Sequence, residues 1–178
     1  MLNKQGEDSM IQIDLMLLKF IEHHQLFEFI EFYKIYLNDE DKLKQSIEQN
    51  GGKTFLHFAV ESGAVHIVSY LLLDAKVDPN VLSHNQQMGV LHISVSLQRH
   101  DLIDLILMSE KVDINILSSL HGTPLHIACK MGNLKIVQQL LISGADINIK
   151  SPKNGKLAKD NTDNSRIAFL IEKYEKRK

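Results

Sequence analysis

The 178-residue sequence is short of cysteine, of net charge and of long apolar runs. Cys129 is the only cysteine, so no internal disulfide can form, which fits a reducing compartment. The longest apolar candidate, residues 10–21, is interrupted by Gln12, Asp14 and Lys19 and falls short of the ~20 residues that a membrane span needs. No basic-then-apolar signal peptide is recognisable. We therefore expect a cytoplasmic or nuclear protein with no membrane insertion.

The formal net charge of -2 excludes a whole-chain argument for nucleic-acid binding. The charges are unevenly placed, because residues 1–50 carry ten acidic and five basic side chains whereas residues 149–178 carry four and nine. Such ends are typical of solvated surface, although they could steer a partner. The basic tail suits a helix C-terminus, and the alternative of nuclear import or an anionic surface would need a denser run.

Three helices are predicted before residue 50. Ser9 is a candidate cap for a helix that starts at Met10, and apolar spacing predicts a second helix from about Leu26 to Leu37 after a turn at residues 23–25. Asp39 or Asp41 could cap a short third helix. This segment holds six of the eleven aromatic residues. They predict either a helix pair that packs on the next unit or an exposed aromatic patch that anchors a partner.

From Thr54 the sequence repeats itself. His57, His92 and His126 are 35 and 34 residues apart, and a period of this size indicates a solenoid. The third copy is the clearest, with Thr123-Pro124 to start a helix, Gly132 to turn the chain and a second apolar stripe before Gly144. A pair of short helices cannot bury its apolar face alone, whereas stacked copies can.

The second copy departs most from this pattern. Gly89 replaces the capping threonine, Gln98 replaces the turn glycine, and Glu110-Lys111 replace Gly-Ala. A non-glycine residue in a left-handed turn costs on the order of 1 kcal/mol. We therefore expect the middle of the stack to be its weakest part. These departures are either substitutions that the stack tolerates because its other repeats hold it in place, or an adaptation for binding a partner or for bending the stack.

These units resemble ankyrin repeats, whose signature T-P-L-H-x-A precedes a glycine, a V-x-x-L-L run and G-A-D-x-N. The resemblance predicts an all-α solenoid of stacked helix-turn-helix units joined by hairpin-like loops. It divides the chain into a disordered N-terminus at 1–9, capping helices at 10–50, repeats at 51–84, 85–118 (diverged) and 119–150, and a C-terminal capping repeat at 151–178. It also implies a non-catalytic, protein-binding role.

No catalytic or metal chemistry is predicted. The repeated histidines recur once per unit, roughly 10 Å apart, too far to share a metal ion whose ligand bonds are near 2 Å. In the family that the units resemble, this histidine is structural and hydrogen-bonds loop backbone. Cys129 is predicted to be a small buried thiol, with no base or oxyanion site beside it. We expect no cofactor, no metal and no enzyme activity.

The resemblance also implies that a partner binds in a concave groove made of loop tips and inner helices. Apolar side chains at such places are the strongest candidates, because no packing explains them. The expected partner-binding residues are Lys53, Glu61, Ser62, Met88, Ser96, Leu97, Leu120, His121, Lys130 and Met131.

Two functions are compatible with this pattern. The first is a small monomeric adaptor or inhibitor that binds another protein. The second is an N-terminal targeting or regulatory module of a larger enzyme, channel or lipid-transfer protein. A stop codon directly after Lys178 in the full-length transcript would favour the first.

Overall fold

The computed structural model describes residues 15–37 and 40–176. Helix α1 is described over residues 15–22, and α2 (Leu26–Leu37) and α3 (Glu40–Gln49) follow it. The turn at residues 23–25 and the bounds of α2 are as predicted. Asp41 lies inside α3, so it is not the cap of that helix. Asp39, Ser9 and the predicted disordered N-terminus at 1–9 lie outside the described residues.

Three helix pairs come next. The first pair is α4 (Phe55–Ser62) and α5 (Val65–Ser69), which continues as a π turn at Tyr70–Asp74. The second is α6 (Val90–Ser96) with α7 (His100–Leu107), and the third is α8 (Pro124–Lys130) with α9 (Leu134–Ile142). The terminal unit has a 3-10 helix (Ala158–Asn161) and α10 (Ser165–Glu175). The predicted all-α solenoid is confirmed.

Local sequence sets the ends of these helices. Thr54 caps α4, since its extended backbone turns the hydroxyl toward the His57 N–H, and Thr123 holds the same backbone conformation before α8. Gly63 and Gly132 follow the first helices with φ of 73° and 70°, a left-handed conformation that favours glycine.

Between the repeat histidine and the loop aspartate, the first two repeats each have one residue more than the third, and they accommodate it differently. Asp78 and Asp113 come 21 residues after their repeat histidines, whereas Asp146 comes 20 after His126. In the first repeat the π turn takes up the insertion, and Lys76 closes it in the left-handed region at φ 52°. The prediction of backbone strain at Glu110-Lys111 is wrong, because the longer turn there contains no residue with positive φ. Gln98 does adopt the left-handed conformation, at φ 55°.

The units stack in two layers. The first helices α4, α6 and α8 and the 3-10 helix contact one another in succession, while α5 packs on α7 and α9 on α10. The apolar core runs between the layers and through all the units, from Leu17 to Ile171. We call the exposed loop tips and C-terminal ends of the first helices the groove face, and the exposed side of the second helices the outer face.

A ladder of asparagines ties the loops together. The Asn80 side chain accepts the Asp113 N–H at 2.7 Å, and Asn115 accepts the Asp146 N–H at 2.8 Å. Each repeat thereby supplies the hydrogen-bond acceptor for the first turn residue of the next loop.

Candidate protein-binding groove

The three repeated histidines join each unit to the next. In each, Nδ1 accepts the N–H of the residue three before it, at 3.1 to 3.2 Å. Nε2 therefore carries the proton and donates it to a carbonyl of the following loop. Those carbonyls belong to Met88, Gly122 and Lys156, at distances of 3.2, 3.0 and 3.2 Å. The structural role that the resemblance implies for these histidines matches this geometry.

Burial keeps these imidazoles neutral. Desolvation lowers the pKa of His92 to about 4 and lowers the pKa of His57 and of His126 below its ordinary value. Both ring nitrogens are occupied, so none is left to bind a metal. Within residues 15–37 and 40–176, no group of three or more metal-ligating side chains could hold an ion.

Cys129 is fully buried on α8. Burial in apolar surroundings raises the pKa of its thiol to about 12, so the reactive thiolate is disfavoured. This matches the predicted small buried thiol.

At the first repeat, two of the predicted partner-binding residues bind each other. The Lys53 ammonium donates to both carboxylate oxygens of Glu61, at 2.7 and 2.9 Å, and lies 5.5 Å from the centre of the Phe58 ring. Beside them, the exposed Ser62 hydroxyl donates to the Ala59 carbonyl at 3.2 Å. The first-repeat end of the groove face is therefore electrically neutral and internally hydrogen-bonded.

Two predicted residues of the second repeat are half-buried. Met88 packs against the core, and its carbonyl is the acceptor for His57. The Ser96 hydroxyl donates to the Ile93 carbonyl at 2.8 Å. Their accessible surface is smaller than their position in the repeat suggested.

The apolar residues of the groove face are exposed. Leu97, Leu120 and Met131 have 46%, 44% and 39% of their surface accessible. Leu97 and Met131 are the C-cap residues of α6 and α8, equivalent positions one repeat apart. Such side chains have more to gain from a partner than from solvent.

A cleft of about 400 Å³ lies between the third repeat and the terminal unit. It brings together Leu120, His121 and Lys130, three of the predicted residues, beside Ile127. The terminal unit contributes the opposite wall, which sequence reasoning did not assign to the groove: Lys153, Asn154, Lys156, Asp160 and Asp163.

The signal for that wall was present in the sequence. Asn154 to Leu157 is the eroded copy of the loop before Thr123, and both loops are closed by a single antiparallel bridge, Ser118–Gly122 and Lys150–Leu157. Extending the groove positions to this fourth copy would have found Lys153 and Lys156.

The aromatic residues of the N-terminal helices mostly form core. Phe29 and Tyr33 are buried and stack with ring centres 5.3 Å apart, while Phe20 and Phe32 pack on each other at 5.4 Å. Phe27 is exposed. Each of the two predicted alternatives therefore holds for part of the segment. Most of these rings pack into the core that continues into the first repeat, whereas Phe27 is exposed at the surface.

Comparison with protein-family models agrees with this architecture. A model of three ankyrin-repeat copies matches residues 72–151, and a single ankyrin-repeat model matches residues 51–84. The chain belongs to the ankyrin-repeat family. Repeats of this family are generally protein–protein interaction modules and are typically non-catalytic. A search of curated proteins finds no match.

In the part of the chain that the structure describes, no helix has both the length and the apolar content to cross a membrane.

Proposed function

We propose that this protein is a non-catalytic scaffold, an adaptor or inhibitor, that binds another protein through its groove face. The observation that carries the proposal is the exposed apolar series Leu97, Leu120 and Met131. Leu120 also lines the cleft formed with the terminal unit. Apolar anchors within a polar rim are the usual source of binding energy at protein interfaces.

The chemistry of the site supports binding rather than catalysis. The three repeated histidines are neutral and have both ring nitrogens hydrogen-bonded, and the one thiol is buried. The lone buried thiol also fits action in the cytoplasm or nucleus. The proposed partner is a protein and not a nucleic acid. We further propose that this protein does not insert into a membrane and acts as a monomer.

The groove is tested by the double substitution Leu97→Asp and Met131→Asp. Both residues are exposed C-caps, so the variant should fold, and circular dichroism verifies this. Affinity capture from native lysate followed by mass spectrometry should then lose the partners that the wild type retains.

Phe27→Asp is the matched control, because Phe27 is an exposed apolar residue at the other end of the stack. It should retain the partners. If the groove variant keeps every partner and Phe27→Asp loses them, the binding surface is the N-terminal unit and the groove proposal is wrong.

A second candidate is a targeting or regulatory module of a larger enzyme, channel or lipid-transfer protein. The exposed Phe169 on α10, opposite the buried Ile167 and Ile171, favours it, because a further domain could cover that face. The full-length transcript distinguishes the two candidates.

A further inference from the structure

The charged side chains of the groove face differ between its two ends. At the first-repeat end, the Lys53 ammonium donates to both oxygens of the Glu61 carboxylate at 2.7 and 2.9 Å, so the two charges cancel. The loop tip of the second repeat, residues 85–87, is Asn-Gln-Gln and carries no charge. These parts of the groove face therefore present no net charge to a partner.

Three lysines line the cleft between the third repeat and the terminal unit. Lys130 is the last residue of α8, and Lys153 and Lys156 belong to the terminal loop that forms the opposite wall. All three are exposed. Among the residues that the structure describes, no carboxylate lies within 4.0 Å of any of these ammonium groups. Each lysine therefore presents a positive charge that a partner can meet.

Two aspartates share the cleft, but neither is paired with these lysines. The carboxylate of Asp160 accepts the N–H of Leu157 at 3.1 Å within its own loop, and Asp163 lies in the turn before α10. The neighbouring Lys159 differs from the cleft lysines, because its ammonium lies 3.4 Å from the Glu175 carboxylate. With three ammonium groups against two carboxylates, the cleft carries a net positive charge.

Apolar surface adjoins these charges. Leu120 and Ile127 line the same cleft, and Met131 follows Lys130 directly in the chain. A matching segment must therefore supply an apolar side chain together with negative charge.

The lining of the cleft favours a peptide over a nucleic acid as the source of that negative charge. Single-stranded nucleic acids bind through aromatic side chains on which their bases stack, combined with a basic groove along the backbone. The described residues that line the cleft include no phenylalanine, tyrosine or tryptophan, and two of them are aspartates. An acidic peptide segment matches the lysines and the apolar residues without requiring a stacking surface.

We propose that the partner presents an acidic segment to this cleft, in which aspartate or glutamate residues flank an apolar residue. The inference rests on the proposed function, because it names the chemistry of the partner that the groove face binds. The carboxylates meet Lys130, Lys153 and Lys156, while the apolar side chain contacts Leu120. Since the first-repeat end of the groove face is neutral, the charges also fix which part of the partner lies at the terminal unit.

The test selects peptides from a random phage-displayed library for binding to the full-length protein. Selected peptides should contain aspartate or glutamate beside an apolar residue at least about threefold more often than the starting library, because the cleft lysines repel basic segments. Lys153→Glu with Lys156→Glu reverses the charge of the loop wall and should turn this preference toward lysine and arginine. The hydrogen bonds of Lys156 to His126 and Asn154 use its backbone, so this variant should fold, and circular dichroism verifies it.

Lys135→Glu with Lys173→Glu is the matched control. It changes the net charge by the same amount, at exposed residues of α9 and α10 on the outer face. Fluorescence anisotropy then measures the affinity of a labelled acidic peptide recovered in the selection. The loop variant should weaken its binding at least about tenfold, whereas the control should leave it within about twofold, because exposed charges beyond the cleft are screened by salt.

The outcomes separate this inference from the groove proposal. Selected peptides that are lost with Leu97→Asp and Met131→Asp but show no excess of aspartate and glutamate would overturn the inference and leave the groove proposal intact. Recovery of no peptide whose binding depends on Lys153 and Lys156 would also overturn it, as would an oligothymidylate of equal charge that binds as tightly as the acidic peptide. Peptides that depend on Phe27 alone would contradict the groove proposal itself.

Discussion

The second and third repeats differ in signature residues but not in depth of burial. The second has Gly89 and Ser94 where the third has Thr123 and Ala128, and all four residues are buried. Ser94 is accommodated because its hydroxyl donates to the Leu91 carbonyl at 3.0 Å. Where the third repeat turns on Gly132, the second turns on Gln98, whose side chain accepts the Asn133 amide at 2.8 Å.

The comparison separates two sources of stability. Caps and turn glycines stabilise a unit from within, whereas the histidine bonds and the apolar core act between units. The second repeat lies between two complete helix pairs, while the third adjoins a terminal unit whose first helix is only a 3-10 turn. Neighbours on both sides therefore offset part, but not all, of the stability that the poor signature of the second repeat loses.

The largest expected effect is on the core of these two repeats. Leu91 and Leu125 are equivalent residues, each 1% exposed. Leu91→Ala and Leu125→Ala should each lower the free energy of unfolding by about 2–5 kcal/mol, through lost apolar burial and the cavity left behind. Urea unfolding measures both. A loss below about 0.5 kcal/mol for Leu91 alone would mean that the second repeat is loosely packed.

The second prediction concerns pH. Folded His92 binds a proton only near pH 4, whereas an unfolded histidine does so near 6.5, so the unfolded state binds more protons in between. The contribution of neutral His92 to the free energy of unfolding is complete above about pH 6.5. It is lost as the pH falls toward 4 and amounts to about 3 kcal/mol. His92→Gln should make the decline in unfolding free energy across this range shallower. An unchanged slope would show that other groups cause the acid sensitivity.

A smaller effect is expected at the turn of the third repeat. Gly132 has φ of 70°, and a Cβ there would meet no atom within 4 Å, so Gly132→Ala adds backbone strain alone. We expect a loss of about 1–2 kcal/mol in thermal or urea unfolding. Gly144→Ala is equally open but has φ 96°, further from the left-handed region that L-residues adopt, so it should lose more. If Gly132→Ala left the free energy of unfolding unchanged, the left-handed turn would not be a local stabilising feature.

The smallest effect is expected at Gln98, where strain and a hydrogen bond oppose each other. Gln98→Ala loses the bond from Asn133 and keeps the strain, whereas Gln98→Gly loses both, so the glycine variant should be more stable than the alanine variant by about 1 kcal/mol. Hydrogen exchange should show α6 and α7 less protected than α8 and α9, and Gln98→Gly should narrow the gap. Equal protection in the wild-type protein would end the hypothesis of a weak middle.

Sequence reasoning worked best where one residue decides one local conformation. Thr54, Gly63 and Gly132 act where the repeat pattern places them, and α2 has its predicted bounds. It failed at Glu110-Lys111, because the additional residue before Asp113 gives this turn a different geometry, in which no residue has a positive φ. It also judged groove residues by register alone, and so included Met88, which is half-buried, and omitted Lys153 and Lys156.

By itself the sequence determined the period, the helix ends and the family, because caps, left-handed glycines and apolar spacing act over a few residues. Only the tertiary structure showed that Lys53 is bound to Glu61, that a terminal loop forms one wall of the cleft, and that Lys130, Lys153 and Lys156 line that cleft together. These features depend on which side chains from different units meet. That is fixed when the units stack, and no single repeat contains it.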